Sequence, residues 1–457
     1  MNRKQLLFLE SWISKRNRKP LMIRGARQVG KSTLVRLFSQ NSGRQLADIN
    51  LERHTNLGSL FSQNNPAALI DVLESLPGVP QISEQTLLFL DEIQAVPEAI
   101  PALRYLFEDR RETAVLGAGS LLEFILAKHD FSMPVGRVEY LHMGPMTFTE
   151  YLDAVDEHKL SEVIRQYKIN DTIQPIVHDR LMAQLRQYFF VGGMPEAVDV
   201  FASSRSLQQV SDVHNSIIDT YREDFPKYIG SRNLGRVNHV FNHAARNVGN
   251  KVKYSNISGE EQSKTIKADI ELLCQARVLT KVVHSHCSGL PLQAELDEKI
   301  YKLLFLDIGL MNAICGLRWR SIEQSDIAGL INEGAIAEQF IGQHLIDMLS
   351  NLANREPTYW LRQGRSNNAE LDYVIALDGQ IIPIEVKAGA TGSLRSLHQF
   401  MCEKDLSVAV RFDASLPSSQ DIRGTVIRNN KPTQVDYRLI SLPLYLVERL
   451  PDLVLSE

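Results

Sequence analysis

The sequence is short of every feature that would tie it to one special environment. Charge of a single sign is missing: 50 lysines and arginines face 54 aspartates and glutamates, for a formal net charge of -4. That balance gives no global pull toward nucleic acid or acidic lipid, so nucleic-acid binding would need a local basic surface. Cysteine is scarce, and its four copies (Cys274, Cys287, Cys315, Cys402) form no Cys-x-x-Cys pair. This argues against a zinc ribbon or disulfide scaffold and fits a reducing cytoplasm. No run approaches the roughly 20 apolar residues of a membrane span. The opening Met-Asn-Arg-Lys-Gln-Leu-Leu-Phe-Leu-Glu is polar and interrupted too soon for a signal peptide. Repeats and low-complexity tracts are absent. The expectation is a soluble, cytoplasmic protein without a membrane partner, and its 457 residues exceed one core, so two to four domains are expected.

What is present begins with alternation. Residues 1–146 carry short apolar strands between helical patterns, the mark of a parallel α/β sheet. The strand candidates are Leu21–Arg24, Gln45–Leu51, Thr86–Leu90, Ala114–Ala118 and Val138–Met143, with helical spacing in Ser32–Phe38 and Ala99–Phe107. Residues 147–231 read as a mostly helical lid or linker. It is broken at Val191-Gly192-Gly193-Met194-Pro195, where a helix C-cap and restart is expected. Residues 232–320 read as a winged-helix-like unit. Helices are expected over Val237–Val248, Glu260–Asp269 and Asp269–Ala276, followed by a strand pair at Val278–Val283 and Lys302–Leu306. Lys264 and Lys267 would lie on the later helix, which makes DNA a candidate partner; packing alone is the other reading. Residues 321–457 return to mixed α/β character, with a helix over Gly334–Leu349 and strands over Thr358–Arg362, Glu370–Ala376 and Ile381–Ala388.

The strongest motif is Gly25-Ala26-Arg27-Gln28-Val29-Gly30-Lys31-Ser32, followed by Thr33. In a phosphate-binding loop of this pattern, the glycines allow a tight backbone whose N–H groups curl around phosphates at a helix N-terminus. Lys31 would reach the β- and γ-phosphates, and Ser32 would offer its hydroxyl to Mg²⁺. The motif follows a strand and opens a helix, which is the context it requires. A second part, Thr86-Leu87-Leu88-Phe89-Leu90-Asp91-Glu92, delivers Asp91 to a strand end to hold Mg²⁺, with Glu92 placed as general base. Paired carboxylates argue for hydrolysis rather than binding alone. Ser120 closes the strand Ala114–Ala118 and would either orient the water or cap the next helix. Arg137 is the best candidate for a charge-stabilising arginine, in cis or on a neighbouring subunit, and an ordinary surface arginine is the alternative.

Near the C-terminus, Asp372 and Glu385 lie on two apolar strands thirteen residues apart, suited to a hairpin that sets them side by side. Lys387 falls two positions past Glu385, on the same strand face. Glu338 on the preceding helix would add a third carboxylate. Hard carboxylate oxygens of this kind hold Mg²⁺ for phosphodiester cleavage, with the lysine steadying developing charge. Strand-end salt bridges explain the same residues equally well. Arg362, Arg365 and Lys387 would alternatively grip a phosphate backbone.

Taken in order, these segments resemble a known family. The stretches Gly-Ala-Arg-Gln-Val-Gly-Lys-Ser, Leu-Asp-Glu-Ile-Gln and Gly-Arg-Val-Glu-Tyr look like the AAA-type ATPase domain of a large bacterial and archaeal family. The later Met-Gly-Pro-Met-Thr-Phe-Thr-Glu-Tyr and Phe-Val-Gly-Gly-Met-Pro-Glu-Ala match it as well. That family joins the ATPase to a C-terminal domain of unknown function similar to PD-(D/E)XK nucleases. One departure is Ala118, where the usual sensor-strand ending is Thr-Gly-Ser. A second is Leu371, which stands in place of the proline of the nuclease motif. The resemblance implies ATP rather than GTP, and it places Glu338, Asp372, Glu385 and Lys387 on the positions of the nuclease core.

The expected architecture is therefore α/β: a P-loop parallel sheet (1–146), a helical lid (147–231), a winged-helix-like unit (232–320) and a mixed α/β restriction-endonuclease-like domain (321–457). The expected function is a Mg²⁺-dependent ATPase coupled to a DNA-binding, nuclease-like module. The alternative is an ATP-driven switch or scaffold that binds a protein partner or a second copy without cleaving DNA. A small-molecule kinase is a third class, disfavoured by the Asp91-Glu92 pair and the long C-terminal half.

Overall fold

The computed structural model describes residues 3–120, 134, 136–169, 171–229, 233–317, 333–350, 356–362, 368–389, 394–428 and 431–455. The chain divides into two compact units, Met1–Gly144 with Gln275–Arg277, and Pro145–Cys274 with Val278–Glu457.

In the first unit, five short strands make a parallel sheet: β1 (Leu21–Arg24), β2 (Gln45–Asn50), β3 (Thr86–Asp91), β4 (Ala114–Ala118) and β5 (Glu139–His142). Their order is β2-β3-β4-β1-β5. Every residue of β3 and β4 is buried, which explains their unbroken apolar runs: strands covered on both faces need no alternation. The helix Lys31–Ser42 covers the sheet with Leu34, Val35 and Phe38, and the helix Ala99–Asp109 does so with Ala99, Ile100, Ala102, Leu103 and Leu106. The strand order has a functional consequence. It sets β1 between β4 and β5, with β3 next to β4, so the segments that leave β1, β3 and β4 emerge at one carboxyl-terminal edge, where open α/β sheets bind ligands.

The second unit opens with helices. Thr147 caps the helix Phe148–Ala154 in a capping box with Glu150, and Phe148, Tyr151, Tyr188 and Phe340 pack edge to face behind it. The helix Pro175–Val191 ends at Gly192 with a positive φ (72°), and the chain restarts as the helix Pro195–Ser204, a C-cap and restart as the sequence suggests. Both glycines are also required by space. A Cβ on Gly192 would lie 2.2 Å from Asp307 Oδ1, and one on Gly193 would lie 2.2 Å from the Met146 carbonyl. The Gly193 N–H donates to Asp307 Oδ2 at 2.7 Å, so the turn is a packed joint.

Two expectations for this unit are corrected. The helices expected over Glu260–Asp269 and Asp269–Ala276 are one helix, Ser263–Gln275, because Ile266, Ile270 and Leu273 form a single buried stripe with no breaker between them. The strand pair, β6 (Leu279–Ser285) and β7 (Leu296–Phe305), does not stand apart as a wing. It joins β8 (Thr358–Arg362), β9 (Ala369–Leu377), β10 (Gln380–Val386), β11 (Val408–Asp413), β12 (Ser418–Arg428) and β13 (Lys431–Pro443) in one sheet of order β12-β13-β11-β10-β9-β8-β6-β7. The link is a parallel pairing of β6 with β8 at Val283–Thr358 and His284–Tyr359. Both strands are largely buried there, so the hairpin completes the sheet on which the C-terminal segment is built. Lys264 and Lys267 are exposed on their helix.

Candidate functional site

The nucleotide loop takes the backbone its sequence demands. Gly25 (φ 150°), Gln28 (φ 63°) and Gly30 (φ 92°) all have positive φ, and a Cβ on Gly25 would lie 2.0 Å from the Met143 carbonyl. Gly30 is also the cap from which the helix Lys31–Ser42 starts, so its N-terminus opens directly behind the loop. Lys31 folds back over this loop, its ammonium donating to the carbonyls of Ala26 at 2.7 Å and Gly25 at 3.1 Å. Burial pushes its pKa down to about 8; Glu92 and Asp91 oppose the shift and Arg27 adds to it.

Asp91, the last residue of β3, is buried. Burial raises its pKa, countered by a hydrogen bond from the Ser32 hydroxyl and by the Glu92 N–H, while the charges of Glu92 and Asp48 add to the rise. Hydroxyl and carboxylate, the two oxygen donors expected to hold a metal, therefore meet. Glu92 follows in a left-handed conformation (φ 50°, ψ 45°), uncommon for a residue with a side chain and a recurrent mark of functional sites. Its carboxylate accepts from Gln94 Nε2 at 2.5 Å. Gln94 is the residue that the search for charged groups passed over. The missing side chain of Gly119 makes room for it, since a Cβ there would lie 2.3 Å from Gln94 Oε1. The signal for Gln94 in the sequence is its place at the end of the Leu-Asp-Glu-Ile-Gln segment, two residues after Glu92.

Ser120 is buried just beyond β4, at the sheet edge reached by the other site residues. Arg137 is placed differently from the expectation. Its guanidinium pairs with Glu108 (Nε–Oε1 2.9 Å), which also pairs with Arg104 at 3.1 Å. In this conformation it is a partly exposed arginine just before β5, tied to Glu108 of the helix Ala99–Asp109, as in the alternative that the sequence left open. Val29 is buried in the loop, whereas Arg27 and Gln28 are half-buried and Thr33 is exposed.

In the second unit, β9 and β10 form the expected antiparallel hairpin, with Tyr373 opposite Ile384. Asp372 Oδ2 accepts from the Val386 N–H at 2.7 Å. Glu385 Oε1 accepts from Lys387, while Glu385 Oε2 is buried without a hydrogen-bond partner. Glu338 reaches the same cluster from the helix Glu333–Leu349.

A residue missed in the sequence sits at its centre. Lys302, on β7 and 1% exposed, places its ammonium 2.9 Å from Glu338 Oε1, 2.6 Å from Glu370 Oε1 and 3.9 Å from Asp372 Oδ1. Burial works against the charge, but Glu338, Asp372 and Glu370 together hold the Lys302 pKa above its ordinary value. Burial raises the carboxyls of Glu338, Asp372 and Glu385, in each case against a nearby lysine. Among the described residues, no group of three or more histidine, cysteine or acidic side chains is arranged to hold a metal ion. Two of the expected trio, Glu338 and Asp372, thus face the Lys302 ammonium together with Glu370, while Glu385 pairs with Lys387. Arg362 pairs with Glu403, and Arg365 lies outside the described residues.

Three family models match successive parts of the chain: an AAA domain over residues 17–152, a domain of unknown function (DUF8612) over 182–321, and another (DUF4143) over 333–427. No curated protein matches. Among solved structures, the Aeropyrum pernix ORC1 protein in complex with DNA is similar at 13% identity, covering 68% of this chain and 91% of that one, with a TM-score of 0.29. The Thermotoga maritima RuvB Holliday junction branch migration motor is similar at 14% identity, covering 61% and 88%, with a TM-score of 0.28. No helix among the described residues is long and apolar enough to cross a membrane. The family match over residues 17–152, laid on a parallel sheet with its phosphate loop after β1 and its acidic pair at the end of β3, identifies an AAA-type P-loop ATPase domain in this chain.

Proposed function

We infer that the chain is a magnesium-dependent ATPase whose nucleotide cycle works a DNA-handling second unit. The observation that carries the ATPase reading is the meeting of Ser32 with Asp91 beside a loop that only glycine at position 25 can form. A hydroxyl and a carboxylate are the hard oxygen donors that magnesium prefers, so the residues fit the ion. Held by these two residues, magnesium would supply neutralisation of phosphate charge. The chain's own residues do the rest. The loop N–H groups of 25–32 and the Lys31 ammonium hold the phosphates. Asp91 fixes the Ser32 hydroxyl. Glu92, steadied by Gln94, takes the proton of the attacking water, and Ser120 orients that water. Arg137 serves as a charge-stabilising group only by leaving Glu108. Purified protein should hydrolyse ATP with Mg²⁺, and turnover should vanish on chelation; chelator-resistant hydrolysis would remove the magnesium assignment.

For the second unit, the exposed Lys264 and Lys267 support DNA contact, and Asp372, Glu385 and Lys387 support a nuclease-like core. A specific observation favours the other reading, a switch or scaffold that does not cleave: Lys302 already pairs with Glu338 and lies 3.9 Å from Asp372, two of the three carboxylates that a nuclease would use for metal. Plasmid and linear DNA incubated with Mg²⁺ or Mn²⁺ separate the two. On the non-cleaving reading, wild type and Lys387→Ala leave the DNA equally intact. Nicking by wild type that K387A abolishes would establish the nuclease.

A further inference from the structure

We propose that Lys302 is a resident cation: its ammonium takes the place of a divalent ion among Glu338, Glu370 and Asp372, so the cluster excludes metal in the wild type and accepts one when the lysine is removed. This deepens the non-cleaving reading of the second unit and is independent of the ATPase assignment.

The geometry is that of a central charge rather than a peripheral staple. Three carboxylates from two elements, one on the helix Glu333–Leu349 and two on β9, surround one ammonium. The side chain arrives from β7, outside the 333–427 segment that carries the acids. Its position is built from several sides. Gly249 (φ 78°) lacks a Cβ where one would lie 2.4 Å from Glu338 Oε2. The Tyr373 hydroxyl donates to the Glu338 carbonyl at 2.8 Å, anchoring the helix turn that carries the acid. The Tyr359 ring lies 5.1 Å from Nζ and favours a cation there. Beside this, Glu385 is 4% exposed and its Oε2 has no partner, so the cluster retains one buried acceptor that the two lysines leave unsatisfied. Buried carboxylates this close cannot all stay ionised without a counter-charge. Wild type supplies it covalently, through Lys302. Without Lys302, Lys387 alone would face four acids. A divalent ion with oxygen ligands would restore neutrality once the acids, no longer held apart by the ammonium, close on it; proton uptake is the competing outcome and leaves no bound ion to count.

A plain structural salt bridge would stabilise the sheet in the same way but would create no metal site on its removal. Counting bound Mn²⁺ by electron paramagnetic resonance on the full nucleotide-free chain distinguishes them. Wild type and Glu385→Gln should bind the same number of ions. Lys302→Met should bind one more, and the added ion should disappear in K302M/D372N. Adding Mn²⁺ should also raise the melting temperature of K302M more than that of wild type. If K302M does not fold, Lys302→Gln takes its place. An added ion in either folded variant supports the resident cation; a folded variant that gains none overturns it, as does one extra ion in wild type that E385Q removes. Loss of ATP turnover in any variant bears only on the first unit, so the two assignments fail separately.

Discussion

Lys31→Met abolishes ATP turnover while leaving the melting temperature of the nucleotide-free protein close to wild type at pH 7. The two halves of this result come from different terms. Turnover falls because a charged donor aimed at phosphate oxygens is lost, and removing one such preorganised donor typically costs a factor of about 10²–10³ in rate. Stability hardly changes because the buried ammonium is itself a burden. Its pKa in the folded protein, about 8, lies below the 10.5 of a free lysine. At pH values below about 8 the protonated side chain therefore costs on the order of 3 kcal/mol of folding free energy at about 1.4 kcal/mol per pH unit. Methionine keeps the length and removes that cost, but gives up the hydrogen bonds to the Gly25 and Ala26 carbonyls, a loss of about the same size.

The pH dependence fixes the sign. The unfolded chain binds the extra proton between pH 8 and 10.5, so wild type gains stability relative to K31M as pH rises through that window. Melting curves of both proteins at pH 7 and pH 10 test this, together with steady-state ATP hydrolysis. Turnover in K31M within tenfold of wild type would remove Lys31 from the site. A relative gain by K31M on raising the pH would show that Lys31 is not buried as described.

Local features of this chain were legible in the sequence because local chemistry determines them. The five strands of the first sheet lie within about a residue or two of where apolar runs and turn residues put them, and the phosphate loop is readable because its backbone leaves no room for a Cβ at Gly25 and takes positive φ at Gly30. The Asp372–Glu385 hairpin is legible for the same reason, as two apolar strands close in sequence. What was not legible depends on partners distant in the chain. Lys302 meets Glu338 36 residues away and Glu370 farther still, and nothing around position 302 marks it as different from a strand-edge lysine. The β6–β7 hairpin looks like a wing until β8, whose pairing with it spans more than seventy residues, is seen beside it. The long pair β12 and β13 carries alternating, half-polar residues that an apolar-run search passes over. Gln94 and Arg137 show the limit of reading charge alone. Expectation concentrated on charge, yet the side chain that holds Glu92 is a neutral amide, and the candidate arginine is engaged by Glu108.

Glu92→Gln should separate chemistry from binding. Glutamine has the shape of glutamate and can adopt the same left-handed backbone (φ 50°), so the turn after β3 survives. The amide cannot accept the proton of an attacking water, and loss of a positioned general base costs about 10²–10⁴ in rate. Phosphate contacts from residues 25–32 and the Ser32–Asp91 pair are untouched, so ATP affinity should stay within a few-fold of wild type. The contrast with K31M is diagnostic: that variant loses phosphate binding as well as turnover, whereas E92Q should hold intact ATP. Two measurements on each variant suffice, equilibrium binding of ATP with Mg²⁺ and single-turnover hydrolysis. Unchanged hydrolysis in E92Q would move the base elsewhere at the same sheet edge, with Asp91 the next carboxylate. A parallel loss of binding would mean that Glu92 supports the loop rather than the water. If neither occurs, the Gln94 amide becomes testable in turn: Gln94→Ala should lower kcat less than E92Q does, with KM unchanged, because it removes only the hydrogen bond that steadies the base.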